Sequence, residues 1–202
     1  MNILHLQTGL FGDQSVSRQL SDKIVARLQQ ENPAATVIDR DLINTPVSHL
    51  DAEILLAGGA EAEQRTEKQQ VELALTETLL EELFAADVLV IGAPMYNFSI
   101  PSQLKAWLDR IAQAGRTFRY TENGPEGLVK GKKVYIASAR GGIYSEGAAA
   151  AMEYQESYLK TILGFIGVDD ITIIRAEGVN LSPEARAQAI EVASQEISAL
   201  SA

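Results

Sequence analysis

The 202-residue chain has no cysteine and only two histidines. Without thiols there are no disulfides, no thiolate nucleophile and no Cys-ligated zinc or iron–sulfur centre. His5 and His49 alone give a metal site little to be built from. A Ser-His-Asp arrangement would have to recruit one of those two, and no Gly-x-Ser-x-Gly elbow is present. Positive charge is also in short supply: 17 Lys and Arg stand against 27 Asp and Glu, a formal net charge of −10. Nucleic-acid binders carry a basic face and anionic membranes attract one, so both are excluded as partners. No apolar run approaches the length that spans a bilayer, and the chain opens on a strand pattern rather than a basic, then apolar leader. The expected address is the cytoplasm. A Gly-x-Gly-x-x-Gly after the first strand is missing, and Gly127–Lys133 lacks the Ser or Thr that completes a phosphate loop.

What the chain does have is centred on Asp87–Phe98. Val88-Leu89-Val90-Ile91 is a short branched apolar run bounded by Asp87 and Gly92-Ala93-Pro94, the pattern of a strand buried on both faces. Pro94 ends it, having no N–H for a ladder. The loop that follows carries Met95, Tyr96 and Phe98 around Asn97. Either these large side chains plug the end of the sheet, or a flat, partly apolar ligand lies against them. Pro101 then suits the start of a helix, with Leu104, Trp107, Leu108 and Ile111 at helical spacing.

The remaining elements fall around this one. Asn2–Gln7 reads as a first strand, with His5 a packed core residue. A loop follows, then a helix through Leu20, Ile24 and Leu28. Thr36–Ile38 is a short second strand, and Leu42–Gly59 a long connection with one helical turn over Ala52–Ala57. Thr66–Ala86 is a long helix with Val71, Leu75, Leu79 and Leu83 as its stripe. Gly115–Gly131 is an insertion with a turn at Asn123-Gly124-Pro125. Lys132–Ala139 is a fourth strand, and Tyr154–Ile166 a helix ended by Gly167. Ile171–Ala176 is a fifth strand. Ser182 and Pro183 open the last helix. Five strands alternating with helices imply an α/β protein with a doubly wound parallel sheet, helices on both faces and one domain over residues 1–202.

Three loops meet at the carboxyl ends of the strands, where open α/β sheets bind ligands. The first offers Thr8, Ser15 and Ser17 at a helix N-terminus, either as plain caps or as phosphate ligands. The second is the Met95–Phe98 stretch. The third, Arg140-Gly141-Gly142, is either an ordinary turn or a place where backbone approaches a ligand closely. Together they suit a phosphate-tailed flat ring such as FMN, which would bring the redox chemistry with it.

Several motifs are long enough to identify. Pro94-Met95-Tyr96-Asn97-Phe98, the run Thr117–Leu128, Arg140-Gly141-Gly142 and Leu163-Gly164-Phe165-Ile166-Gly167 closely resemble the bacterial FMN-dependent NADH:quinone oxidoreductases, or NADH-azoreductases. The resemblance runs nearly end to end. It implies a flavodoxin-like fold, strand order 2-1-3-4-5, and a homodimer with FMN at the interface. It implies ping-pong two-electron transfer from NADH through FMN to quinones, giving hydroquinones, and to aromatic azo compounds, cleaved to amines. By position it assigns Gly9, Ser15, Val16 and Ser17 to the phosphate and Met95, Tyr96, Asn97 and Phe98 to the isoalloxazine wall. Ala139, Arg140, Gly141 and Gly142 fall to the ring's polar edge. Phe98, Tyr120 and Ile162 would line the substrate space, with no catalytic side chain of their own. The chain departs from the family at Gly9 and Ala139, where Ser is frequent, at Val16, where Gln is frequent, and at Ile162, which replaces an aromatic. A flavodoxin-type electron carrier is the rival reading, and the Phe118–Leu128 insertion argues against it. A phospho-acceptor domain would need acids where Gln7 and Ala93-Pro94 stand.

Overall fold

The structure is a computed structural model and describes residues 1–200. Its centre is a five-stranded parallel sheet built from β1 (Asn2–Gln7), β2 (Thr36–Asp41), β3 (Val88–Pro94), β6 (Lys133–Ala139) and β7 (Asp170–Ala176). The spatial order is β2-β1-β3-β6-β7, which is 2-1-3-4-5 when the strands of this sheet alone are counted. β3 is buried at every position, as its uninterrupted apolar run requires of a strand covered on both sides.

Side chains alternate along the strands and so divide the core in two. Leu4, Leu6, Leu89 and Ile91 face α3 (Glu67–Ala85), α4 (Ser102–Ile111) and α5 (Glu156–Ile166), where they meet Leu83 and Trp107. Ile3, Val88 and Val90 face the other way, onto Leu20 and Ile24 of α1 (Val16–Glu31) and Ile197 of α6 (Pro183–Ser198). The stripe foreseen on α3 is shorter than its spacing suggested. Leu79, Leu80 and Leu83 are buried, but Val71 is exposed.

The short α2 (Ala52–Ala57) occupies the single turn expected there. Helix ends follow their local chemistry. Thr66 and Gln69 form a capping box for α3, Ser182 accepts the N–H of Ala185 at α6, and Gly167 closes α5 in the left-handed conformation at φ 107°. The 115–131 insertion holds an element the sequence reading left as loop. β4 (Phe118–Thr121) and β5 (Gly124–Gly127) pair antiparallel. Phe118 packs on Phe165 of α5 at 4.5 Å between ring centroids. Gly127 lies so close to the end of α5 that a Cβ there would stand 2.2 Å from the nitrogen of Gly167.

His5 is buried, as expected. Its Nδ1 is 2.7 Å from Asp39 and its Nε2 2.8 Å from the Ser21 hydroxyl. This is a Ser-His-Asp series in outline only. Ser21 is fully buried and its hydroxyl donates to the carbonyl of Arg18, so no substrate can reach it. Burial holds the His5 pKa below its ordinary value, against the pull of Asp39 and Asp22.

Candidate functional site

Three loops do converge at the carboxyl ends of β1, β3 and β6, around a cavity of about 110 Å³. The first loop ends at the start of α1, which differs from the helices just described. Ser15 stands at the N-cap position, yet its side chain caps nothing. Its hydroxyl lies 3.0 Å from that of Ser17, and the two residues are only 6% and 1% exposed. Two hydroxyls that share one hydrogen bond leave one donor hydrogen over. The first N–H groups of the helix, with no intrahelical acceptor and no cap, point the same way. Buried donors without acceptors are costly, and a helix N-terminus that keeps them is prepared for an anion.

Gly9 belongs to this arrangement. A Cβ on Gly9 would lie 2.1 Å from the Ser15 oxygen, so the hydroxyl of Ser15 occupies the space that a side chain at position 9 would need. Val16 lines the cavity beside Ser15. Thr8, by contrast, is fully buried and spends its hydroxyl on the carbonyl of Gly92; it does not face the site.

Pro94, Met95 and Tyr96 form the second wall. The phenol of Tyr96 accepts the N–H of Leu10 at 3.1 Å and so ties this wall to the first loop. Tyr96 and Ser99 exchange backbone hydrogen bonds of 2.9 and 3.1 Å, and the two residues between them, Asn97 and Phe98, have φ of 48° and 72°. Positive φ at both central residues is the signature of a type I′ turn. Asn accepts that conformation readily, whereas Phe does so at a cost of order 1 kcal/mol or more. The turn is held from outside: Tyr154 donates its N–H to the carbonyl of Phe98 at 3.0 Å. The Phe98 ring is 43% exposed and meets Tyr144 edge-on at 6.1 Å.

The third wall is Ala139 and Gly141. Arg140, placed between them, turns away. Its side chain is 1% exposed and lies among Glu177 at 2.9 Å, Glu156 at 2.6 Å and Glu153 at 3.2 Å. Its Nε donates to Gln155 at 2.9 Å, and the amide of Gln155 donates onward to the carbonyl of Ala93 at the end of β3. The Arg140 backbone is equally engaged, donating to Ala176 and accepting from Val179. Arg140 therefore holds the site's walls in place and offers no group of its own to a ligand. The Nη2 of Arg140 makes no directed hydrogen bond; against Glu153 and Glu156 it acts through charge. Burial raises the pKa of Glu177, but bonds from the Ser145 hydroxyl, the Tyr144 N–H and Arg140 outweigh it and hold the carboxyl below its ordinary value.

Tyr120 and Ile162 are not among the residues that line this cavity, and neither are Gly9, Ser17, Asn97, Phe98, Arg140 and Gly142, although all six lie in or directly beside the three loops around it. Tyr120 is 75% exposed on the hairpin, where it packs edge-on against Phe118. Ile162 is half-buried on α5 against the first core cluster. Sequence reasoning in turn missed Val179, Asn180 and Arg186, which close the cavity from the β7–α6 connection and the start of α6. Two larger concavities, of about 510 and 370 Å³, lie against α3 and share no lining residue with the strand-end cavity.

The site fits a flat ring with a phosphate tail: an uncapped helix end with spare buried donors, an apolar wall, and a bare glycine opposite it. Comparisons with known proteins bear on the family and its cofactor. The family model described as flavodoxin-like fold matches residues 1–200. The chain is 58% identical over 202 residues to an FMN-dependent NADH:quinone oxidoreductase of Azospirillum brasilense, covering 99% of this chain and 97% of that one. It is 56% identical over 197 residues to FMN-dependent NADH:quinone oxidoreductase 1 of Idiomarina loihiensis, covering 98% of each. Among solved structures, the azoreductase of Bacillus anthracis str. Sterne superposes with a TM-score of 0.88 at 30% identity, covering 98% of this chain and 97% of that one. An FMN-dependent NADH-azoreductase from Bacillus anthracis str. Ames Ancestor, solved in complex with FMN, also gives 0.88, at 29% identity and 98% and 95% coverage.

Proposed function

This chain belongs to the FMN-dependent NADH:quinone oxidoreductases of the flavodoxin-like fold, and we propose that it binds FMN at the strand-end cavity and reduces quinones and aromatic azo compounds there in ping-pong turns with NADH. The observation that carries the placement is the start of α1, where a buried pair of serine hydroxyls shares one hydrogen bond and keeps one donor hydrogen over, beside N–H groups that no side chain caps. Ser15, Val16 and Ser17 hold the phosphate, Ser15 and Ser17 by hydroxyl and all three by backbone N–H. Met95, Tyr96, Asn97 and Phe98 wall one side of the ring, and Ala139, Gly141 and Gly142 bring backbone to its polar edge. When bound, FMN supplies the two-electron chemistry that the side chains of this site do not. The protein's part is to stack donor and acceptor in turn against the same wall and to keep water from it.

Residues 1–202 act as one FMN-binding domain in this reading, and the working form is a homodimer with FMN at the interface. The exposed Tyr120 supports the dimer. Neither Tyr120 nor Ile162 reaches the cavity within one chain, so a role in lining the substrate space requires a second copy. A cytoplasmic location belongs to the same reading and rests on the acidic, cysteine-free composition.

A visible spectrum tests this. The purified protein, soaked in FMN and desalted, is expected to show flavin bands that bleach under anaerobic NADH and return with a quinone. Bands that persist under NADH would point to an electron carrier serving protein partners, and no bands at all would remove the cofactor from the reading.

A further inference from the structure

The phosphate site has a weakness in charge. A phosphomonoester carries close to two negative charges near pH 7, and the donors at the start of α1 are neutral. The one cation in the adjoining sequence, Arg18, is turned elsewhere, 3.4 Å from Asp13 and 3.4 Å from Asp41. A second cation reaches the cavity from the far end of the chain. Arg186, in the first turns of α6, lines it together with Gln14, Ser15 and Val16. Its Nη2 donates to the carbonyl of Gln14 at 2.9 Å. Among the described residues it forms no ion pair with any carboxylate. Its place on its own helix is unfavourable, because the positive end of the macrodipole repels a cation in the first turns. A guanidinium kept in that position, half-buried and without a counter-charge, is neither a helix-stabilising residue nor half of a salt bridge.

We propose that Arg186 is the cationic ligand of the flavin phosphate, and that through it this chain discriminates FMN from riboflavin. The inference rests on the FMN reading above and adds to it a residue from α6. A guanidinium has five N–H donors. One holds the Gln14 carbonyl, which fixes the loop leading into α1, and the others remain for phosphate oxygens beside the spare hydroxyl of the Ser15–Ser17 pair. The two halves of the site thus come from positions some 170 residues apart, α1 giving neutral donors and α6 the charge.

The test is titration of the apoprotein with FMN and with riboflavin, followed by flavin fluorescence, for the wild type, Arg186→Gln and Arg186→Lys. Arg186→Gln is expected to weaken FMN about tenfold to a hundredfold, the scale of a charge-assisted hydrogen bond, and to leave riboflavin unchanged. Arg186→Lys should recover part of the loss. The wild-type FMN dissociation constant should rise with salt more steeply than that of Arg186→Gln. An unchanged FMN affinity in Arg186→Gln would overturn the assignment. So would an equal loss for riboflavin, which would make Arg186 only a brace for the Gln14 loop. Failure of the wild-type apoprotein to take up FMN would instead overturn the function proposed above.

Discussion

Ser17→Asp is expected to give a folded protein that cannot keep FMN. Ser17 is the second residue of α1, where a carboxylate is favoured by the helix dipole and can accept the free N–H groups, a gain of about 0.3–1 kcal/mol. Ser17 is only 1% exposed, so desolvation of the carboxylate offsets this gain, and the fold is expected to survive with a lowered melting temperature. The same carboxylate faces a phosphate at close range. Two unit charges about 4 Å apart repel by roughly 4 kcal/mol at an effective dielectric constant near 20, which is about three orders of magnitude in affinity. Riboflavin, lacking the phosphate, should bind the variant as it binds the wild type. Desalting followed by a spectrum and a melting curve is sufficient, and FMN retained at native affinity would show that the phosphate lies somewhere else.

Arg140→Met should act mainly on the fold. The guanidinium answers three carboxylates at once, those of Glu153, Glu156 and Glu177. Among the described residues, Glu156 alone of the three forms an ion pair with a second cation, Arg175 at 2.8 Å. Removing one partner from a buried charge cluster costs about 3–5 kcal/mol, or roughly 10–15 °C in melting temperature for a chain of this length. Glu153 and Glu177 both titrate below their ordinary value. Burial pushes each up, but backbone N–H groups, joined for Glu177 by the Ser145 hydroxyl, and Arg140 pull them further down. A carboxyl lowered in the fold stabilises it above its unfolded pKa, and that stability is lost as pH falls through the folded value. Without Arg140 the contribution shrinks, so the variant should also unfold at a higher pH during acidification. Adding Glu177→Gln to Arg140→Met should return part of the stability. If the double variant is no more stable than the single, charge compensation is not the role of Arg140.

The strands of the central sheet were legible because each carries its own signal: β3 in its unbroken apolar run, β1 and β6 in branched residues bounded by polar ones. The β4–β5 hairpin was not, because among its eight residues only Phe118 is buried, and a ribbon without an apolar face has no period to read. Its one clue was the turn at Asn123-Gly124. The site divided in the same way. Ser15 and Val16, and Met95 and Tyr96, lie in single stretches that line the cavity, while Ser17, Asn97 and Phe98 follow them in the chain without lining it. Arg140 lies in such a stretch too, yet its side chain points inward, because the carboxylates that hold it come from Glu153, Glu156 and Glu177. Arg186 was missed for the converse reason. Only the packing of α6 beside α1 brings it to Ser15, and the trace it left in the sequence was an arginine too early in its helix.

The turn at Asn97-Phe98 sets a limit on how far this protein can be made robust. A glycine in place of Phe98 would relieve the positive-φ cost and tighten the turn. It would also remove the ring that, with Tyr144, stands over the strand ends. Selection for heat tolerance alone would reward that exchange, and, if the ring walls the flavin as proposed, selection for turnover would reverse it. On the proposed reading, then, Phe98→Gly would exchange part of the flavin's wall for a less strained backbone, gaining melting temperature and losing turnover.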